Sequence, residues 1–494
     1  MAEIRPFRAY RYDTNRVALK DVLTQPYDKI TPEMQERYYA ASPYNLIAIE
    51  KGKAAAGDTP VVSQASTASA SSSASTSSNA STASAEHNVY TRAAAKVEEW
   101  IAAKILVQDG APSVYVYAQD YLVPGTQTRR TRIGFIALGR VEDYSAGVVF
   151  PHERTLSAPK VDRIELLRHT RAQTGQLFML YDDKSRKIET LLEDIARRNA
   201  AIEMRDEFDV LHRLWPVSDA DTIRRIETAM APQKLVIADG HHRYETALNF
   251  RNENREKAIT KGEKSEPNSS SPPAGDKNAA YEFAMMTFIN THSKGLTILP
   301  THRLVRNLDG FDFERFRKSV GPYFDWYSYP FADADERAAS YAEFRRDFEG
   351  SNHGRRGVGV YSGVANGGAN AFYLFLLRRD VDLEQLLPDL TEAQRGLDVV
   401  LLHRVMLEKG LGITAEAVEA EKFISYERET EKAIAAVDRG EAQMACLLKP
   451  VRVEQVTEIA LAGGVLPQKS TDFYPKLLSG ETIFRIKGRI EEPK

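Results

Sequence analysis

Residues 235–250 read LVIADGHHRYETALNF. The apolar run Leu235 to Ala238 has the length and character of a buried strand. Tyr244, Ala247, Leu248 and Phe250 then recur at roughly helical spacing. A strand that turns into a helix within a few residues restricts the chain to folds that layer helices on a sheet. The turn itself, Asp239-Gly240-His241-His242-Arg243, is unusual in its chemistry. Aspartate suits a helix N-cap, and Gly240 permits positive φ or close approach of a ligand to the backbone. The first amides of the helix and its dipole form an anion site, to which Arg243 and either histidine add donors. Phosphate is the natural occupant. A capped helix entrance with two solvated histidines is the alternative that spacing alone leaves open.

The rest of the chain alternates in the same manner. Helical periodicity over 90–106 places Val97, Trp100, Ile101 and Ile105 on one stripe. Strands are expected at 114–123 and 131–142, joined by the Pro-Gly turn PGTQT as a hairpin. Helices are expected over 161–171, 185–199 and 398–412, the last stopped by glycine. Strands are expected at 234–238, 281–290, 295–305, 358–363 and 371–379. Residues 312–350 read as helical with a Tyr-rich break. The fold class is therefore mixed α/β (α+β), with a first domain over 1–300 and a C-terminal α/β domain over 301–494. Residues 54–85 are almost wholly Ala, Ser and Thr, and the polar tract at about 252–279 is rich in Pro, Ser, Lys and Glu. Both lack the apolar bulk to offset the entropy of ordering and read as disordered insertions in loops.

Composition excludes several classes. A net charge of −3 gives no global basic field, which argues against bulk nucleic-acid binding. The single cysteine, Cys446, cannot form an internal disulfide or a Cys-x-x-Cys site. The start MAEIRPFRAYRYD lacks the apolar core of a secretory signal, and no run of about 18 apolar residues suggests a membrane span. A cytoplasmic protein is expected, and a homodimer is compatible with the sequence. His241 and His242 are neighbours whose side chains diverge by about 100° on a helix, so they do not share one ion. No dedicated metal site is expected; Mg²⁺ carried by phosphates would leave little trace in the sequence.

Other stretches could supply chemistry. VVFPHERTLSAPKVDRIELL (148–167) sets His152 and Glu153 between an apolar run and a helix. Glu153 there could take a proton from a hydroxyl, with Lys160 and Arg163 as anion contacts; ordinary ion pairs at a helix entrance are the alternative. LPTHRL places His302 and Arg303 at a strand end. Lys469, Ser470, Thr471, Tyr474 and Lys476 gather hydroxyls and cations into one turn. Asp28 in TQPYDKI and Asn45 in SPYNLI could line a site or serve their turns.

Taken together, PYDKI, SPYNLI, PHERT with KVDRIELL, ADGHHRYETAL, THRL and KSTDFYPKLL resemble a bacterial and archaeal family catalogued as domain of unknown function 1015. The turn DGHHR is also similar to the phosphate-binding signature of the ParB/sulfiredoxin-like fold. Within that superfamily, the free serine kinases carry Pro-His-Glu upstream and Asp-Gly-His-His-Arg downstream, as this chain does at 151–153 and 239–243. The resemblance implies a nucleotide-binding core and a small-molecule kinase moving phosphate from ADP or ATP, with Mg²⁺, to a metabolite hydroxyl such as that of free L-serine. It implies Glu153 as base, Asp239 and His242 as catalytic partners, and Gly240, His241 and Arg243 as phosphate contacts. The turn holds histidine where a sulfiredoxin carries its cysteine. Two rival readings stand beside the kinase: a non-catalytic nucleotide-binding regulator of the ParB-like type, and a Mg²⁺-dependent phosphoesterase or nuclease.

Overall fold

The computed structural model describes residues 1–58, 87–153, 158–260, 275–350, 354–363 and 367–491, with backbone only at 158–160. Most of the expected insertion at 54–85, and residues 261–274 of the second, lie outside the described residues.

The fold is mixed α/β. A nine-stranded sheet has the order Val149–Phe150, Leu235–Asp239, Leu177–Tyr181, Phe283–Asn290, Arg129–Arg140, Val114–Leu122, Leu211–Val217 and Ile202–Arg205, with Ile4–Arg5 pairing Arg129–Arg140. Side chains alternate between its two faces, as strand geometry requires. Tyr115, Tyr117, Ile136, Leu138, Phe178 and Leu180 point to one core. Their neighbours Val114, Val116, Phe135, Ala137, Met179 and Tyr181 point to the other. Both faces are therefore covered; on the second, Ile188, Leu192, Ile223 and Ile226 from the Lys187–Ala196 and Ala220–Met230 helices close the layer.

One pairing positions the site. Val149–Phe150 and Leu235–Asp239 are adjacent and parallel, with Leu235 opposite Val149 and Val236 opposite Phe150. Their C-terminal ends deliver Pro151-His152-Glu153 and Asp239-Gly240 side by side, although the sequence separates them widely. A β-bulge between Ile237 and Asp239, against Leu177–Tyr181, breaks the alternation just before the turn. Such irregularities re-aim a side chain at a strand end.

A second, fully antiparallel sheet has the order Phe324–Pro330, Ala371–Leu377, Gly357–Tyr361, Met444–Leu447, His302–Val305 and Ile424–Glu427. Its inner residues, among them Val305, Val358, Phe375 and Cys446, share one apolar cluster with the first sheet. The chain then returns to segments that flank the first sheet's strands in sequence. Leu466 bridges Glu153, Asp472–Tyr474 pairs Thr297–Leu299, and Phe484–Arg485 pairs Ala172–Gln173. Phe473 is fully buried on this return, its ring 5.4 Å from that of Phe178. Burying one such ring contributes about 1.5–3 kcal/mol.

Three sequence expectations are corrected. The helix beginning at His241 runs to Thr260, so the first part of the polar tract is helical. Arg255 pairs with buried Glu282, so this polar turn is held by an ion pair and needs no apolar stripe. Residues 295–305 form two short strands in different sheets, broken at Pro300. The Tyr-rich break within 312–350 is the Phe324–Pro330 strand.

Candidate functional site

Asp239 ends its strand and the helix starts at His241. Gly240 bridges them at φ +92°, the left-handed region that glycine enters freely. The helical ladder opens with Tyr244 N–H donating to the Gly240 carbonyl at 2.9 Å. The amides of 241–243 thus precede the ladder and lie at the positive end of a 20-residue helix. Arg243 folds back beneath the turn and donates to the Gln176 carbonyl. A Cβ at Gly240 would stand 3.1 Å from the Arg243 guanidinium, and one at Gly175 would meet Arg243 Nη1 at the same distance. The arginine fits because both positions are glycine.

Around Asp239 the structure gathers four cations. Arg243 Nη2 lies 3.7 Å and Lys476 Nζ 3.8 Å from the Asp239 carboxylate. Lys476 also pairs with Asp472 at 3.0 Å, and Arg428 reaches Asp472 at 2.7 Å. Lys29 adds its charge to the same group. Burial alone would raise the Asp239 pKa; Lys476, Arg243 and Lys29 more than offset it and hold the carboxyl well below the usual range. Lys476 shows the converse: burial works against its charge, but Asp239, Asp472 and Asp28 keep its pKa above the ordinary lysine value. Burial, with Lys476 and Arg428 nearby, pushes Lys29 down. The separations of 3.7 and 3.8 Å exceed hydrogen-bond length. Arg243 and Lys476 are attracted to Asp239 without committing their hydrogens to it, and so retain donors for a second anion.

His152 is fully buried beside the turn. Its Nδ1 bonds the Ile237 carbonyl at 2.5 Å, its Nε2 lies 2.7 Å from Thr471 Oγ1, and its amide donates to His241 Nε2 at 3.3 Å. Acceptance of that proton fits a neutral His241. Burial, then the proximity of His152, holds the His241 pKa well below that of free histidine, and burial lowers His152 too. The His242 ring adds to the same depression. Glu153 accepts a hydrogen bond from the Lys469 amide at 3.1 Å. Lys469 has φ +56°, and Ser470 Oγ closes its own turn onto the Pro467 carbonyl.

Two buried arginines clamp this loop. Arg303 donates to the carbonyls of Gln468 and Lys469 at 3.0 and 3.2 Å. Arg132 donates to the carbonyls of Tyr474, at 3.2 Å, and Pro475. Burial lowers both guanidinium pKa values to about 10. The loop that brings Lys469, Thr471, Asp472 and Lys476 over the strand ends is thereby anchored from both sheets.

Of the residues singled out in the sequence, Asp239, Gly240, His241, Arg243, His152, Glu153, Lys469 and Thr471 come together here, and Asp28 joins through its field on Lys29 and Lys476. Arg163 lies aside: it pairs with buried Glu50, stacks 4.2 Å over Tyr27, and lines with Arg243 a cavity of about 70 Å³. Asn45 is buried and closes its own loop through Asp21 and Ile47. His302 is locked between Thr430 and the Leu448 amide. The Lys160 side chain lies outside the described residues. Lys29, Arg132, Gln176, Arg428 and Asp472 were not anticipated. Arg132 carried a signal, since it falls in phase with Ile136 and Leu138 on a core-facing set.

His302 gives a pH prediction. Burial lowers its pKa from 6.5 to about 4. The folded state therefore binds this proton less readily than the unfolded chain. Its contribution is intact above the unfolded value and is lost as pH falls from about 6.5 towards 4, by about 3 kcal/mol. His302→Gln should flatten that part of the acid-denaturation curve, measured as urea midpoints at stepped pH.

Among the described residues no helix is long and apolar enough to cross a membrane. No curated protein matches the chain. Solved structures similar to it include a conserved hypothetical protein from Pyrococcus furiosus, at 13% identity and TM-score 0.30, covering 69% of this chain and 92% of that one. A free serine kinase in complex with AMP shows 11% identity and TM-score 0.31, covering 68% and 89%. A variant of free serine kinase in complex with ADP gives the same figures. Residues 4–400 match the model of the family described as protein of unknown function, DUF1015, and the chain belongs to that family.

Proposed function

We propose that this protein is a phosphotransferase that moves a phosphoryl group from ADP or ATP to the hydroxyl of a small metabolite, with free L-serine the first candidate. One observation carries the reading. Glu153 and the Asp239–Arg243 turn leave adjacent parallel strands, and Arg243 and Lys476 keep unspent donors beside them. Ligands of open α/β sheets bind outside the C-terminal strand ends, and phosphoryl transfer asks mainly for positioning and positive charge. The resemblance of the two motifs to those of the free serine kinases points the same way.

In this reading the nucleotide phosphates sit on the amides of 241–243, with Arg243 and Lys476 as charged donors. Glu153, half-buried and oriented by the Lys469 amide, takes the proton of the attacking hydroxyl. Neutral His241 donates or accepts without adding charge. Asp239 holds Arg243 and Lys476 in place, and His242 supports the transfer from the helix start. Among the described residues no three His, Cys, Asp or Glu side chains could hold a metal ion together. Mg²⁺ would therefore enter on the phosphates, with Asp239 or Asp28 as protein ligand, and would neutralise phosphate charge.

The test is to incubate the protein with Mg²⁺, ATP or ADP and ¹⁴C-labelled L-serine, alongside other labelled hydroxylated metabolites, and to separate products by anion exchange. The reading expects a labelled phosphomonoester that requires both nucleotide and acceptor. Labelled acceptors recovered unchanged across the panel would refute it.

A further inference from the structure

Leu402–Lys409 is a π-helix continuing directly from Asp398–Leu401. Widened helical turns of this kind recur at functional sites. This one walls a cavity of about 460 Å³ that no residue of the 239–243 turn lines. The volume lies within the roughly 300–1,000 Å³ of small-molecule sites.

The wall chemistry narrows the occupant. Val400, Ile413, Val418, Val465 and Leu466 supply an apolar floor. Asp389, Glu408 and Glu419 stand at the rim with one cation, Arg404, which Asp389 and Glu408 engage at 2.7 and 3.0 Å. Three carboxylates against one guanidinium leave the rim two negative charges. His403 projects from the π-helix with a fixed tautomer. Its Nε2 faces Arg303 Nε at 3.1 Å, and arginine can only donate, so the imidazole proton sits on Nδ1. Burial and Arg303 keep the ring neutral. Among the described residues no hydrogen bond takes up the Nδ1 hydrogen, and the half-buried ring lines the cavity.

We propose that this cavity is a second ligand site, for a small aliphatic molecule bearing a cationic amine and a carbonyl, such as an amino-acid amide. The apolar body lies on the valine and isoleucine floor, the carbonyl oxygen accepts from His403 Nδ1, and the ammonium meets the acidic rim. The site is also wired to Glu153. Arg303, bonded to His403, holds the carbonyls of Gln468 and Lys469, and the Lys469 amide donates to the Glu153 carboxylate. Pro467 and Gln468 line the cavity themselves. A ligand that shifts His403 or this loop therefore acts on Glu153 through contiguous hydrogen bonds. The coupling to catalysis rests on the function proposed above; the binding site does not.

The experiment uses the full chain labelled with ¹⁵N, titrated with L-leucinamide, N-acetyl-L-leucinamide and L-leucine, and followed by NMR of the histidine ring nitrogens and the Lys469 amide. His403→Phe assigns the His403 signals. The proposal expects a saturable leucinamide shift at His403 Nδ1, about tenfold weaker binding of the uncharged N-acetyl compound, and a parallel shift of the Lys469 amide. Ala415→Trp, at the exposed mouth, should block binding without entering the core. No saturable shift with any of the three probes, or leucinamide binding unchanged by Ala415→Trp, would overturn the site. A His403 shift with a motionless Lys469 amide would overturn the coupling. None of these outcomes depends on phosphoryl transfer, so failure of the kinase reading is read separately.

Discussion

Lys476→Met is expected to lower stability by about 3–5 kcal/mol and to weaken ADP binding by about 10- to 100-fold. The first figure is the cost of breaking a buried ion pair by removing one partner. Lys476 is the cation shared by Asp239 and Asp472, at 3.8 and 3.0 Å, and all three side chains are largely buried. Methionine retains the aliphatic stem, so the loss reports charge and not volume. The second figure is the worth of one or two hydrogen bonds to a charged group. The acid limb should move as well. Asp239 has a depressed folded pKa, so its contribution is present above the unfolded value near 3.8 and is lost as pH falls through the folded one. Without Lys476 the folded pKa rises and less of that contribution remains at neutral pH. Thermal melts at stepped pH, with calorimetric titration of ADP, check both effects. Unchanged ADP affinity would remove Lys476 from the phosphate seat.

Glu153→Gln should reduce phosphoryl transfer by about 10²- to 10⁴-fold, the range for loss of a general base. The amide oxygen of glutamine can still accept from the Lys469 amide. The loop should therefore stay in place, and ADP affinity should move by no more than about twofold. The split between turnover and binding is the signature of a group that acts on the acceptor. Equal losses in both would make Glu153 a positioning residue for the loop.

The parts of this site that are local were legible in the sequence. DGHHR reads as a strand-to-helix turn because its flanks carry strand and helix periodicity within 16 residues. The hairpin of Val114–Leu122 with Arg129–Arg140 was equally plain, since turn and alternation agree. The partners supplied by tertiary structure were not. Lys29 and Arg428 lie far from Asp239 along the chain, and only folding brings them to it. The parallel pairing of Val149–Phe150 with Leu235–Asp239 rests on two residue pairs in register, too short to leave a pattern. The π-helix at Leu402–Lys409 carries the apolar spacing of an ordinary helix, so periodicity could not reveal it. Arg132 carries the alternation of a core-facing residue, but in a strand that also holds Arg129, Arg130 and Arg140 it invites assignment to solvent.

In the proposed function, two adjacent strand ends and the 466–476 loop form one phosphoryl-transfer site. Phosphorus NMR of the wild-type protein with Mg²⁺, nucleotide and L-serine tests it most directly. Donor phosphate should disappear as a phosphomonoester resonance grows in equal amount, and no such resonance should grow when serine is omitted. Inorganic phosphate released without a monoester, or nucleotide left intact, would contradict it.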